Sequence, residues 1–199
     1  MRDAVLAFAR RFDFEEGHSL QDERLALRLF DETARLELHR LDHVPLDLDK
    51  GLTPREILSC AALLHDVGYV EGYENHHKTS FKLITGEKIG PLTKRDRLLV
   101  ALVARYHRGA TPDPEKHEAY SGLSPEDQRM VAQLGAILRF ADGLDRSHTD
   151  AVRDLDLSLE GNRLTVALAP GTDDEAERWA GQKKAHWFES QFRVRVELR

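Results

Sequence analysis

The stretch A-A-L-L-H-D-V-G-Y, residues 61–69, ends an apolar run with an imidazole and a carboxylate, His65 and Asp66. His65 falls four residues after Ala61 and eight after Ile57, so on a helix it shares their buried face. An unpaired polar group buried there costs on the order of 1–3 kcal/mol, so His65 needs a partner. The pattern recurs. His107 follows Val103 by four residues and Val100 by seven. Asp142 follows Leu138 by four in R-F-A-D-G-L-D-R, and aspartate is almost never buried unpaired. His18 opens a helix whose face continues through Leu25 and Leu29, and His76 and His77 stand together ahead of a short helix. Each histidine taken singly fits a hydrogen-bonded core side chain or a surface one. Taken together, four helices and one loop each bring a His or Asp to the end of an apolar face. Convergent imidazoles and carboxylates are what a divalent metal site needs.

Basic residues stand near these positions. Arg139 lies three before Asp142 and Arg146 four after it, on one helix face. Arg105 and Arg108 flank His107, and Lys78 follows His77. These five are the candidate phosphate binders. The plainer alternative is surface charge, or an ion pair of Arg146 with Asp142 or Asp150. Lys183 and Lys184 read as solvated. Trp179 and Trp187, two turns apart on one helix, read as packing on a small sheet rather than as a stacking platform for a base. Cys60 reads as a small core residue. His39, His43, His117, His148 and His186 carry no assigned role.

The elements that must position these groups follow from period and caps. A short first helix buries Val5, Phe8 and Phe12. A second runs from about His18 to about Leu38. His43 to Gly51, with Pro45, reads as a loop. T-P-R-E at Thr53 to Glu56 is a capping box with proline at the first helical position, opening the helix that ends near Gly68. A short helix holds Thr79 to Ile84. Thr93 and Asp96 cap another, through Leu99, Leu102, Val103 and Tyr106. After a proline-rich loop, Thr111 to Pro114, S-P-E-D at Ser124 to Asp127 starts the longest apolar helix, through Val131, Leu134, Ile137, Leu138 and Ala141. The period then changes to alternation at Leu155, Leu157 and Leu159 and at Leu164, Val166 and Leu168, with Gly161-Asn162 between, which is a hairpin. A helix from about Asp174 to Ser190 and a strand with Val194, Val196 and Leu198 follow. The expected fold is mostly α: a helical metal-binding part over residues 1–150, with a small β-β-α-β appendage over 151–199 packed on it.

Composition narrows the function. The chain has 199 residues, 41% hydrophobic and 32% charged, long enough to bury a core without staples. Its net charge of −6 argues against a nonspecific grip on long nucleic acid, which needs a basic surface. No apolar run approaches the ~20 residues that span a bilayer. Charges at Asp3, Arg10 and Arg11 interrupt the N-terminal stretch, so it is not read as a signal peptide. One cysteine leaves no internal disulfide and no multi-cysteine metal site, and a cytoplasmic location is expected.

The arrangement H…HD…D, here His18, His65-Asp66 and Asp142, resembles the signature of the HD superfamily of metal-dependent phosphohydrolases. The longer strings L-L-H-D-V-G-Y, H-H-K-T-S-F-K-L-I, A-R-Y-H-R and L-R-F-A-D-G-L-D-R are similar to the C-terminal HD domain of the exopolyphosphatase / guanosine pentaphosphate phosphohydrolase family. The similarity runs from about His18 to the C-terminus. Full-length members carry an N-terminal actin-like domain that houses polyphosphate hydrolysis and has no counterpart in this sequence. Thr79 stands where many relatives have a further histidine. The resemblance implies an HD-type helical bundle, with His18, His65, Asp66 and Asp142 as ligands of a first metal. Asp66 would bridge to a second metal held by His77, chosen over His76 on the motif match, and His107. His65 and Asp66 are thereby the candidate catalytic residues.

Two metals about 3.5–4 Å apart can clamp a phosphate for in-line attack and deliver an activated water. The mixed donor set suits Mn, Fe, Co, Ni or Zn better than Ca or Mg alone, with Mn or Fe favoured. The expected function is therefore that of a dinuclear-metal phosphohydrolase acting on a small phosphate ester, a nucleotide. The alternatives are a non-catalytic regulatory HD module that binds a phosphorylated ligand or partner and, more weakly, a phosphodiesterase or nuclease.

Overall fold

Helix α3 (Pro54–Leu64) is buried at every position from Ile57 to Leu64, at the centre of a group of four other helices. In the computed structural model, residues 1–12, 14–41, 51–170 and 174–199 are described. The helices are α1 (Arg2–Ala9), α2 (Glu16–Arg35), α3, α4 (His76–Gly86), α5 (Lys94–Arg105), α6 (Glu118–Ser121), α7 (Pro125–Gly143) and α8 (Glu175–Phe192). Three strands accompany them: β1 (Val152–Glu160), β2 (Arg163–Pro170) and β3 (Arg195–Leu198). Helices α1, α2, α5 and α7 all pack on α3. A helix apolar all round belongs in the interior, and its C-terminal end then delivers His65 and Asp66 to the centre of the molecule.

Local chemistry sets the boundaries. Thr53 accepts from the Glu56 amide while Glu56 caps the Thr53 amide, with Pro54 in the first turn. Thr93 and Asp96 form a second capping box on α5, and Ser124 caps α7. Such caps are worth about 1 kcal/mol each. Helix α4 begins at His76, three residues earlier than the sequence suggests, so both histidines of the pair sit in its first turn. Most of the expected loop at His43 to Gly51 lies outside the described residues, which resume at Gly51.

The C-terminal elements form a three-stranded sheet in the order β1-β2-β3, with β1 antiparallel and β3 parallel to β2. The hairpin turns at Gly161, whose φ of 63° favours glycine. Strand β1 is an edge, and α2 covers it. Gln21 and Arg24 donate to the Val152 carbonyl at 2.7 and 2.8 Å, Arg28 to Leu155 at 3.0 Å and Arg35 to Leu157 at 2.6 Å. The polar face of α2 thus satisfies an edge that would otherwise invite pairing. Helix α8 lies against α7, with Phe188 on Phe140 at 5.2 Å between ring centroids. Glycines allow the approach: a Cβ on Gly143 would lie 3.1 Å from the Gly181 Cα. Among the described residues no helix is long and apolar enough to cross a membrane.

Candidate metal centre and cleft

Four imidazoles are aimed by what their Nδ1 atoms bind. His65 donates from Nδ1 to the Ala62 carbonyl at 2.7 Å, His107 to Ala104 at 2.6 Å and His76 to Tyr73 at 2.9 Å. A carbonyl only accepts, so each Nδ1 carries the proton and, in a neutral ring, each Nε2 is a bare lone pair. His18 makes the same kind of contact to Asp145 Oδ2 at 2.7 Å. All four Nε2 atoms turn inward. This outward Nδ1 tether with a free inner nitrogen is how a protein orients metal-ligating histidines.

The inner nitrogens meet carboxylates. The Nε2 of His18 lies 3.6 Å from Asp22, 3.7 Å from Asp142 and 4.0 Å from Asp66 Oδ2, and that of His65 lies 3.4 Å from both Asp22 and Asp66 Oδ2. The other oxygen of Asp66, Oδ1, lies 3.2 Å from His76 Nε2 and 3.6 Å from His107 Nε2. Asp66 therefore offers one oxygen to each side. Both oxygens of Asp22, His65 Nε2 and Asp66 Oδ1 are buried with no hydrogen-bond partner among the described residues. The donor atoms of His18, Asp22, His65 and Asp142, and those of His65, Asp66 and His107, lie within 4.8 Å of one another.

The electrostatics ask for a cation. His76 and His107 face each other Nε2 to Nε2 at 3.3 Å. Burial pushes the His107 imidazole down to about 3, helped by His65, so a proton on His107 does not relieve that contact near neutral pH. Burial likewise pushes His65 down. Burial resists charging His18 too, but Asp22, Asp145, Asp142 and Asp66 prevail and push it up to about 9. Burial holds the Asp22 carboxyl well above its usual range, with Asp142, Asp145 and Asp66 adding to it against the pull of His18. Burial opposes ionisation of Asp66, and His65, His76 and His107 outweigh it and hold that carboxyl low. A cluster of carboxylates with the bare nitrogens of His65 and His107, relieved in part by a charged His18, is attractive around a divalent ion. The residues present fit such ions.

The backbone leaves little freedom here. A Cβ on Gly68 would lie 2.1 Å from the His76 carbonyl oxygen. Ser80 accepts from the Gly68 amide at 2.9 Å and donates to the His65 carbonyl at 2.6 Å. Together they clamp the start of α4 to the His65–Asp66 segment.

Of the expected site residues, His18, His65, Asp66, His107 and Asp142 converge. His77 does not: the structure brings His76 to Asp66 in its place. Neighbours on a helix project about 100° apart, so only one of the pair faces inward. His76 shares its face with the buried Thr79 and Ser80, while His77 is half-buried beside Gly109. Lys78 is exposed, and Arg105 lies over the Phe81 ring at 5.4 Å, so neither lines the cleft above the cluster. Arg108, Arg139 and Arg146 do line it. Arg139 donates to the Tyr106 carbonyl at 2.7 and 3.0 Å and to Gly109 at 3.0 Å, which makes it a brace for the turn after His107. Arg146 is exposed and makes no ion pair with Asp142 or Asp150; Lys184 pairs with Asp142 instead.

Sequence reasoning missed Asp22, four residues after His18 on the same face, and Asp145, three after Asp142. It also missed His148, whose ring stacks on His18 at 3.8 Å and 5°. Lys184, expected to be solvated, is half-buried and paired with Asp142. Trp179 and Trp187 line the cleft of about 750 Å³, not the small sheet.

The chain matches the Ppx/GppA phosphatase family, domain III, over residues 2–189. No curated protein matches it.

Proposed function

The chain belongs to the Ppx/GppA phosphatase family, and we propose that it is a metal-dependent phosphohydrolase of the HD type acting on a small phosphate ester, a nucleotide. The observation that carries this reading is Asp66, whose two oxygens face two separate groups of inward-turned imidazole nitrogens. In this reading His18, Asp22, His65 and Asp142 hold one ion, His76 and His107 hold a second, and Asp66 spans both. When bound, such ions polarise a phosphoryl oxygen and lower the pKa of water to near neutrality. Mn, Fe, Co, Ni and Zn suit the imidazole-carboxylate set.

The chain's own residues do the rest. The Nδ1 tethers keep the imidazoles in one tautomer and orientation. His148 covers the outer face of His18 and narrows water's access to it. Arg146, with no carboxylate partner among the described residues, and Arg108, over the Tyr73 ring at 4.3 Å, supply positive charge to a phosphate entering the cleft. Arg139 is committed to backbone carbonyls and holds His107 in place.

One observation favours the second reading, a regulatory module that binds a phosphorylated ligand without turning it over. The Lys184 ammonium sits on Asp142, where it neutralises a carboxylate that the first reading gives to an ion. A single experiment separates the two. Protein isolated without chelator is analysed for metal, then loaded with Mn, Co or Ni and offered nucleoside mono-, di- and triphosphates, cyclic nucleotides and long-chain polyphosphate. The phosphohydrolase reading expects two ions per chain and phosphate release from small nucleotides that chelator abolishes. Two bound ions with no turnover of any substrate would favour the regulatory module, and metal-dependent shortening of polyphosphate would overturn the preference for a small ester.

A further inference from the structure

Helix α8 turns a stripe of Trp179, Lys183 and Trp187, each four residues from the next, toward the cleft. Trp179 is 64% exposed. A tryptophan carries a large apolar face, and leaving it in water forgoes that burial. Its one described ring contact is Lys183, whose Nζ lies 4.7 Å from the ring centroid. Trp187 is the fixed member. Arg139 sits over its ring at 4.9 Å, and its edge presses on Gly135, where a Cβ would lie 2.8 Å away. Both indoles line the same cleft as Asp66 and Arg146. The site thus joins a charged floor to an aromatic rim with ammonium and guanidinium groups on its rings.

A sugar phosphate would use the floor and leave the rim in water. A planar base would use both, because its π face stacks on indole. We infer that Trp179 and Trp187 are the specificity-determining residues of the cleft and hold the base of a nucleoside phosphate whose phosphate reaches the floor. The inference rests on the phosphohydrolase reading for the floor, while the base contact is separable from it.

These are the chain's only two tryptophans, so intrinsic tryptophan fluorescence reports on this rim alone. The protein as isolated is titrated with adenosine 5′-monophosphate and with ribose 5-phosphate, by fluorescence and calorimetry, and phosphate release is followed on the same mixtures. The expected result is saturable quenching by the nucleotide and an affinity about tenfold or more above that for the sugar phosphate, in the range of base–aromatic stacking. Trp179→Ala should remove that preference and leave ribose 5-phosphate binding unchanged, and Trp179→Phe should restore part of it. Equal affinities in the wild type overturn the inference whatever the variants do, as does a preference that survives Trp179→Ala. Nucleotide preference through Trp179 with no phosphate released would sustain the inference and count against hydrolysis of nucleoside monophosphates. Equal hydrolysis of both compounds with equal KM would do the reverse.

Discussion

The floor of the cleft and its rim are built on opposite principles. The floor takes its groups from α2 and α7, from the start of α4, and from positions just after α3 and α5; His18, Asp22, His65, Asp66, His76 and His107 are all buried. Each histidine of the floor has its outer nitrogen tied, and its inner nitrogen is aimed at the Asp66 carboxylate or a neighbouring one. The rim comes from α8 and the turns beside it, and its side chains are exposed or half-buried, with cations resting on rings. The difference teaches where each kind of work can be done. Fixed lone pairs need an interior that cannot relax, whereas recognition of an incoming molecule needs surface that nothing in the chain already covers.

The largest expected effect comes from the centre of the floor. Asp66→Ala should lower phosphate release by more than about 10³-fold, since it removes the group proposed to span both ions. An Asp66→Ala enzyme within tenfold of wild type would break the distinction between floor and rim.

Metal removal should be nearly as visible in stability. At free metal about a hundredfold above Kd, binding to the folded state adds about 2.7 kcal/mol, which chelation withdraws. Thermal unfolding with and without chelator measures it, and an unchanged Tm would mean that the carboxylate cluster holds no ion. Gly68→Ala should cost about 1–3 kcal/mol, because the new Cβ meets backbone that cannot give way. It should also weaken metal retention by displacing His76, which denaturant melts and metal analysis on the same sample would show.

Two paired substitutions sharpen the comparison. His76→Ala should lose one ion of two, while His77→Ala should lose none. Equal loss in both variants would remove the assignment of His76. On the rim, Arg146→Ala should cost about 1.5–3 kcal/mol of transition-state stabilisation, roughly tenfold to a hundredfold in kcat/KM, with full metal content. A variant with wild-type kcat/KM would make Arg146 a surface charge.

The contrast between floor and rim also explains what was legible in the sequence. His65, His107 and Asp142 could be found because each interrupts an apolar stripe, and a polar group in such a stripe needs a reason. The capping boxes at Thr53 and Thr93 and the hairpin at Gly161 were legible because their chemistry is local. Asp22 was hidden in the polar run Gln21-Asp22-Glu23-Arg24, where a carboxylate looks ordinary. The choice between His76 and His77 depended on where α4 begins, which Asn75 sets from an αL conformation without a side-chain cap hydrogen bond. Lys184 and the two tryptophans sit on a helix whose partner face only the tertiary packing of α7 against α8 defines. Close approach at Gly143 and Gly181 turns that helix so that its stripe overlooks the cleft.

The most direct test of the central claim is anomalous diffraction from crystals grown with manganese. The account predicts two peaks, one among His18, His65 and Asp142 and one beside His76 and His107, with an Asp66 oxygen directed at each. A single peak, or two peaks with Asp66 bound to neither, would contradict it.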